Sequence, residues 1–418
     1  MTTMNPPAPS ARNVGTAEFV AMMAMLMALQ ALAIDAMLPA LGQIAHDLGV
    51  SDPNRRQLVV GVFLFCAGIG ALVPGSLADR YGRRPVLLCS LGLYVVLSIG
   101  CALARDFTAL LELRAAQAIS SAGLSVLPSA IIRDRFAGDR MARTLSTISV
   151  VFMFVPMIAP SLGQLVLLFA GWRWIFVMLA GLASVVGVWT WHRLDETLHP
   201  EYRQPIEPKA IFGNMLAAAT NRAAFGYVIG GALVFGGMFG YINSSQQLVA
   251  EHFGAGTMFP LLFGATALSM ALASFLNSRI VERFGARRVS HSALLGFIGL
   301  SALQLFLATR PHQTLWQFMP VMGGSMCLIG FVGANFGSIS LQPFARIAGA
   351  AASVQAFLRM VIGAGLGIIV GQSFDGTARP LALALLGCGI VTLLLVLFSE
   401  HGVLFRRLYP PGAARPAA

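Results

Sequence analysis

Gly75-Ser76-Leu77-Ala78-Asp79-Arg80-Tyr81-Gly82-Arg83-Arg84-Pro85 closes one long apolar run of the chain and opens the next. Well downstream, between two other apolar runs, stands Glu282-Arg283-Phe284-Gly285-Ala286-Arg287-Arg288. Acid, arginine, aromatic and glycine recur in the same order. A second pair of segments, Ser161-Leu162-Gly163 and Gly365-Leu366-Gly367, repeats at nearly the same offset. Two matches at one spacing point to a duplicated architecture, and duplicated halves around a central site are how many transporters are built.

Outward from these loops, hydropathy predicts twelve spans: 18–40, 58–78, 86–104, 108–132, 144–170, 174–192, 222–247, 258–279, 289–309, 314–340, 347–373 and 380–399. Each is near the ~20 residues needed to cross a bilayer. Backbone groups in lipid must bond internally, so spans of this length are helices. The stretch 193–221 is polar and holds Arg193, Asp195, Glu196, Glu201, Arg203, Glu207 and Lys209. It divides the chain into a six-helix bundle at 18–192 and another at 222–400, with tails at 1–17 and 401–418. The expected fold is an all-α integral membrane protein of twelve transmembrane helices in two pseudo-symmetric halves.

Composition agrees. Only 11% of the 418 residues are charged and 57% are hydrophobic, where soluble chains carry roughly 25% charged residues. The net charge of +11 sits in short turns, which fits topology signals better than nucleic-acid binding. All basic residues but Lys209 are arginine. The termini and the loops after even-numbered spans hold 20 Lys and Arg against six on the other side. That bias places both termini and the central loop in the cytoplasm of a bacterial cell, with the chain in its inner membrane. The five cysteines lie inside apolar runs without a CxxC pair, so neither a disulfide framework nor a metal site is indicated. The first apolar stretch is too long for a signal core and reads as an uncleaved span.

The loop at 75–85 resembles the G-x-L-a-D-r-x-G-r-r-x loop between spans 2 and 3 of the major facilitator superfamily. The resemblance implies a cytoplasmic conformational latch made of Gly75, Asp79, Arg80, Gly82, Arg83 and Arg84. Physical chemistry supports such a role, because carboxylates and guanidiniums at helix ends pair bidentately and interact with the helix dipoles. The plainer alternative is ordinary loop charge.

Asp35 sits in Ala31-Leu32-Ala33-Ile34-Asp35-Ala36-Met37-Leu38-Pro39. A charge at membrane depth costs roughly 2.5–3.5 kcal/mol on insertion scales and marks a functional position. Leaving water disfavours a charged carboxyl, which suits proton loading and release. The alternative is a helix-end carboxylate in external water, since Pro39 follows closely. The segment resembles span 1 of the bicyclomycin- and chloramphenicol-resistance exporters, the Bcr/CflA group, although Ala36 and Met37 replace the usual Met and Tyr. On span 4, Arg114 with Gln117 is similar to the R-x-x-q-G pattern of the superfamily, with Ala118 in place of glycine. The resemblance ties Arg114 to proton transfer. An always-charged guanidinium needs partners, and Asp35 and Glu112 are the candidates.

On span 5, Pro156, Pro160 and Gly163 are similar to the antiporter motif of export-type members, with Pro156 where a first glycine is usual. Prolines there remove two backbone donors. Gly363, Gly367 and Gly371 on span 11 have small-xxx-small spacing suited to close helix packing. Arg359 precedes them and faces either the vestibule or the cavity. By the usual arrangement of such folds, spans 1, 4, 7 and 10 supply the substrate cavity, with Gln30, Gln117, Phe239, Tyr241, Asn243 and Asn335 as candidates. Gln30 lies about 140° round the helix from Asp35. Glu196-Thr197-Leu198 matches an E-T-L common at the end of span 6.

The function these readings imply is proton-coupled antiport of small drug-like molecules, driven by the proton motive force without cofactor or metal. The expected partners are a drug-like substrate, protons and the bilayer, with no nucleic acid and a monomeric chain. A carrier for a specific metabolite, a sugar or amino-acid derivative, is the alternative. A membrane enzyme is disfavoured because no G-x-S-x-G, H-E-x-x-H or paired-Asp motif occurs, and ATP-driven transport because Lys209 stands in Pro-Lys-Ala rather than in a P-loop.

Overall fold

Proline sets two of the boundaries that matter most. In a helix, a proline ring clashes with the carbonyl four residues earlier and offers no donor to it. Pro39 therefore ends the first helix at Asp35, and Pro74 ends another at Gly70. The computed structural model, which describes residues 15–136, 138–198, 201 and 221–406, has breaks at both places. The regular helix expected over 18–40 is α1 (Thr16–Asp35), followed by a 3₁₀ turn at Leu38–Ala40 and a short α2 (Leu41–Asp47). The second span is bent by 42° between α3 (Leu58–Gly70) and α4 (Val73–Tyr81).

The chain continues as α5 (Arg83–Ala102), α6 (Phe107–Arg135), α7 (Gly138–Phe169) and α8 (Arg173–Arg193). A second set follows: α9 (Arg222–Gln246), α10 (Phe259–Phe284), α11 (Ala286–Ala308), α12 (Leu315–Leu341), α13 (Ala348–Gln372) and α14 (Arg379–Ser399). Among the described residues, ten helical stretches are long and apolar enough to cross a bilayer, and the bent α3–α4 pair makes an eleventh. The twelfth expected span falls on α7, whose apolar part is the shorter Phe154–Phe169. Pro156 and Pro160 lie inside α7, which stays one helix through both. Arg12, Arg203, Glu207, Lys209 and Arg415 lie outside the described residues.

Local chemistry starts several helices. Asp106 accepts the backbone N–H of Ala109 at α6, and Asn221 accepts that of Ala224 at α9. Thr314 and Gln317 form a capping box at α12. Gly82 and Gly285, the repeated glycines, occupy the hinge before α5 and before α11 with φ of 104° and 87°. Side chains larger than hydrogen are strained there, which is why glycine recurs in both loops.

The helices pack as two bundles, α1 to α8 and α9 to α14, that meet along α3 with α13 and along α7 with α10. Glycines let these seams close. Gly68 faces Met360 and Val361, and Gly264 lies against the backbone of Met157. Without a hydrophobic force between helices in lipid, such close packing holds the halves together. Below, the Arg-rich end means the end carrying the α4–α5 loop, and the Arg-poor end the opposite one.

Candidate functional site

A cavity of about 350 Å³ lies between the two bundles, lined by Asp35, Pro156, Phe235, Tyr241, Phe263 and Met326 among others. Its volume is in the range of small-molecule sites, and its wall is apolar and aromatic with few polar groups. Tyr241 stacks on Phe263, with centroids 6.1 Å apart. Asp35, the last residue of α1, is 5% exposed and lines this cavity. Among the described residues it makes no hydrogen bond or ion pair. Isolating a carboxylate from water without partners costs several kcal/mol, so the site favours whatever neutralises it.

The chain break after Asp35 is also where α7 comes closest. A Cβ on Gly163 would collide with the Ala36 carbonyl. Glycine at 163 therefore lets α7 press against the turn carrying Asp35, and Pro156 lines the same cavity one side away. Two residues of the span 5 motif, Pro156 and Gly163, thus meet the Asp35 turn and its cavity. Sequence spacing had given no sign of it.

Arg114 is wholly buried, but its partners are neither Asp35 nor Glu112, which is exposed. Its guanidinium donates to the carbonyls of Ala33 at 3.0 Å and Val59 at 3.1 Å, and to Gln117 Oε1 at 2.7 Å. It also lies 4.1 Å from the Phe63 ring centroid. The Ala33 carbonyl is in the last turn of α1, where the helix supplies no donor. The early stop at Asp35 therefore creates the acceptor that holds Arg114. Gln117 in turn donates to Ser98 Oγ at 2.6 Å.

Of the six cavity candidates, Tyr241 alone stands in the lining of this cavity. Gln30 turns to Ser121, and Gln117 to Arg114 and Ser98. Asn335 donates to Asn277 Oδ1 at 2.7 Å. Phe239 and Asn243 are buried at the α9–α13 contact, close to Gly363, Gly367 and Gly371. The lining contributed by α10, including Phe263, Thr266 and Met270, had no motif to announce it.

At the Arg-rich end, Arg83 is 4% exposed and gathers two carboxylates. Its Nη2 lies 2.7 Å from Asp79 and its Nε donates to Asp134 at 3.0 Å. Glu196 accepts the backbone N–H groups of Arg83 at 2.9 Å and Arg84 at 3.2 Å, an anion seated on the start of α5. A side chain at Gly82 would run into the Glu196 carboxylate. Arg84 donates to the Trp191 carbonyl at 2.7 Å. Arg80 lies beside the Tyr81 ring, and Gly75 has open space where a side chain would go. The sequence reading missed Asp134, a lone acid between Arg133 and Arg135 whose setting was the available clue. Glu196 stood there only as one of the charges of 193–221 and as part of a matching triplet.

The Arg-poor end is sealed by bonds between the bundles. Asn54 donates to the carbonyls of Gln372 at 3.0 Å and Phe374 at 2.8 Å, and its own carbonyl accepts from Gln372 at 2.7 Å. Gln247 donates to Asn54 Oδ1 at 2.9 Å, and Arg56 bonds to Glu251 at 2.6 Å. At the other end a cavity of about 880 Å³ lies between α1 and α7, with Ala24, Phe136, Arg143 and Val155 in its wall.

Comparison with known proteins agrees with this geometry. The family model described as Major Facilitator Superfamily matches residues 23–372. A bicyclomycin resistance protein homolog of Haemophilus influenzae is 28% identical over 91% of this chain and 95% of its own length. The multidrug resistance protein MdtL of Klebsiella pneumoniae is 31% identical over 87% of this chain and 91% of its own. A chloramphenicol resistance protein of Pseudomonas aeruginosa is 28% identical, covering 87% and 86%. Among solved structures, a bacterial homolog of the human lysosomal transporter Spinster, inward-facing and unoccupied, superposes with a TM-score of 0.69 at 17% identity, covering 93% and 96%.

Proposed function

The chain belongs to the Major Facilitator Superfamily, and from that premise we propose that it exports small, drug-like amphiphiles in exchange for protons. It is a multi-pass membrane transporter and not an enzyme. The observation that carries the reading is Asp35, buried and unpaired on the wall of the central cavity. A carboxyl in that position must be neutralised by a proton or by the substrate itself. Exclusive occupancy by one or the other is what couples their movements. The names of the resistance relatives support a drug-like substrate, and the apolar, aromatic wall suits one.

The Arg-rich end faces the cytoplasm of the inner membrane in this reading, following the arginine bias. The bonded seam at Asn54 and Gln372 then closes the external side. Substrate enters from the cytoplasm, Asp35 gives up its proton inward, and the halves rock about the α3–α13 and α7–α10 seams. The Asp79–Arg83–Asp134 cluster is the latch that tightens and releases as they do so. Arg114, fixed to the end of α1, transmits the charge state of that turn to the packing of α3 and α6. A monomer suffices for all of these steps.

The test is efflux from cells stripped of their own pumps, with chloramphenicol, bicyclomycin and ethidium scored with and without an uncoupler. Uncoupler-sensitive export by the wild type, lost in Asp35→Asn at equal membrane levels, is the expected result. Undiminished export by the variant sinks the coupling role of Asp35. Absence of export for all three by the wild type redirects the reading to a dedicated metabolite carrier.

A further inference from the structure

Among the described residues, three buried or half-buried charged side chains of the spans stand out: Asp35, Arg114 and Arg359. The proposed function uses the first two. Arg114 spends its donors on two carbonyls and an amide. Arg359, midway along α13, is half-buried and among the described residues makes no hydrogen bond and no ion pair. The contact it does make is with a ring. Its guanidinium carbon lies 4.8 Å from the centroid of Phe235, and Phe235 is part of the wall of the central cavity.

A cation over an aromatic face gains roughly 0.5–2 kcal/mol. That does not offset the cost of holding a guanidinium, with five donors, away from acceptors. Most arginines so placed are anchored by a carboxylate, and this one has none. The ring itself is held in position. Gly333 on α12 leaves the room it fills, since a Cβ there would meet Phe235 Cε2 at 2.6 Å. A carboxyl thus stands on the α1 wall of the cavity, and a guanidinium lies against Phe235, a ring of the α9 wall.

Resting on the exporter reading, we propose that Arg359 is the specificity-determining cation of the cavity, receiving a planar two-oxygen acceptor group of the substrate, a nitro or carboxylate group on an apolar or aromatic body. The guanidinium fork matches such a group with two parallel hydrogen bonds. Phe235, which lines the cavity, supplies a face for the attached ring, and the fork reaches the acceptor group from beside that ring. Substrates lacking the acceptor group rely on Asp35 and the apolar wall instead.

The experiment compares wild type, Arg359→Gln and Arg359→Lys for export of two probes from pump-deficient cells. Chloramphenicol carries a nitroaryl group, and ethidium is a cation without acceptor oxygen. In Arg359→Gln the half-saturating concentration of chloramphenicol rises about tenfold, the size expected for one charge-assisted hydrogen bond. Ethidium export is unchanged and reports that the variant is folded. Arg359→Lys, which keeps the charge but not the fork, falls between. Unchanged chloramphenicol export in Arg359→Gln overturns the proposal, and so does an equal loss of both probes, which marks a structural role. Calorimetric binding of chloramphenicol to the purified full chain separates this idea from proton-driven export. Binding by the wild type that is lost in Arg359→Gln upholds Arg359 even where uncoupler-sensitive efflux is absent. Absence of binding to the wild type overturns it.

Discussion

The two halves repeat one loop and bond it differently. In the first half, Arg83 meets Asp79 and Asp134, while Glu196, just past the end of α8, takes the backbone of α5. In the second half, Arg287 meets Glu400, just past the end of α14, at 2.7 Å. The place at the end of the next long helix, Asp134 of α6 in one half, is held in the other by Gln342, just past α12, which accepts from Arg287 Nη1 at 3.0 Å. Glu400 also accepts the Tyr227 hydroxyl at 2.7 Å, and Tyr227 lies 2.9 Å from His291 Nε2. The first cluster thus holds an arginine between two carboxylates; the second holds an arginine between one carboxylate and an amide. An excess of negative charge about one cation is sensitive to any change in spacing, whereas a neutral pair with a tyrosine is a brace. The difference fits the latch proposed for the first half and a brace in the second.

Arg83→Gln is the strongest way to break this contrast. It leaves Asp79 and the more buried Asp134 without their shared cation, and the expected loss is ~3 kcal/mol, the lower end for breaking a buried pair because Asp79 is partly screened by water. Arg287→Gln costs less, about 1–3 kcal/mol, because Glu400 keeps the Tyr227 hydroxyl. Thermal unfolding in detergent gives both numbers, and transport assays give turnover, expected to fall further for Arg83→Gln. Equal losses in the two variants would remove the distinction. A finer test exchanges the third partner. Asp134→Asn makes the first half resemble the second and is expected to cost ~1 kcal/mol and slow turnover, with substrate affinity unchanged. Gln342→Glu does the reverse and changes stability by no more than ~1 kcal/mol. Turnover that ignores Asp134→Asn would show the second carboxylate to be idle.

The smallest expected effect is on pH dependence. Burial pushes the Glu400 carboxyl up, but the bonds from Arg287 and Tyr227 outweigh it and leave the group below its ordinary value. A carboxyl so lowered contributes stability that is present above its unfolded pKa and is lost as the pH falls through the folded one. The melting-temperature gap between wild type and Glu400→Gln should therefore narrow as pH drops from about 5 towards about 3. A gap that stays constant over that interval contradicts an ionised Glu400.

Much of the fold could be read from the chain. Apolar length gave the spans, and the repeated loops gave two halves. Pro39 and Pro74 carried the two helix breaks in plain view, although hydropathy alone ran the spans straight through them. The site was legible in part. Asp35 and Asp79 stood out because a lone acid in or beside an apolar run has few bland explanations. Arg114 stood out for the same reason, yet its partners did not, because backbone carbonyls carry no sequence mark. Asp134 and Glu196 were hidden among other loop charges, where only their position in space separates them from topology signals.

By itself the sequence determined what lipid requires: apolar stretches that must be helical, the excess of arginine at one end, and glycine at the two hinges where φ is positive. Those follow from local rules, the cost of an unbonded backbone in hydrocarbon and the sterics of a single residue. Tertiary structure decided the rest. It chose which carboxylate each arginine meets, set Gly163 against the turn of Asp35, and put Phe235, Tyr241 and α10 on the cavity wall while turning Gln30 and Asn335 away. These outcomes depend on how helices distant in sequence cross, and pairing between side chains falls off within a few ångströms, so no reading of one segment at a time contains them.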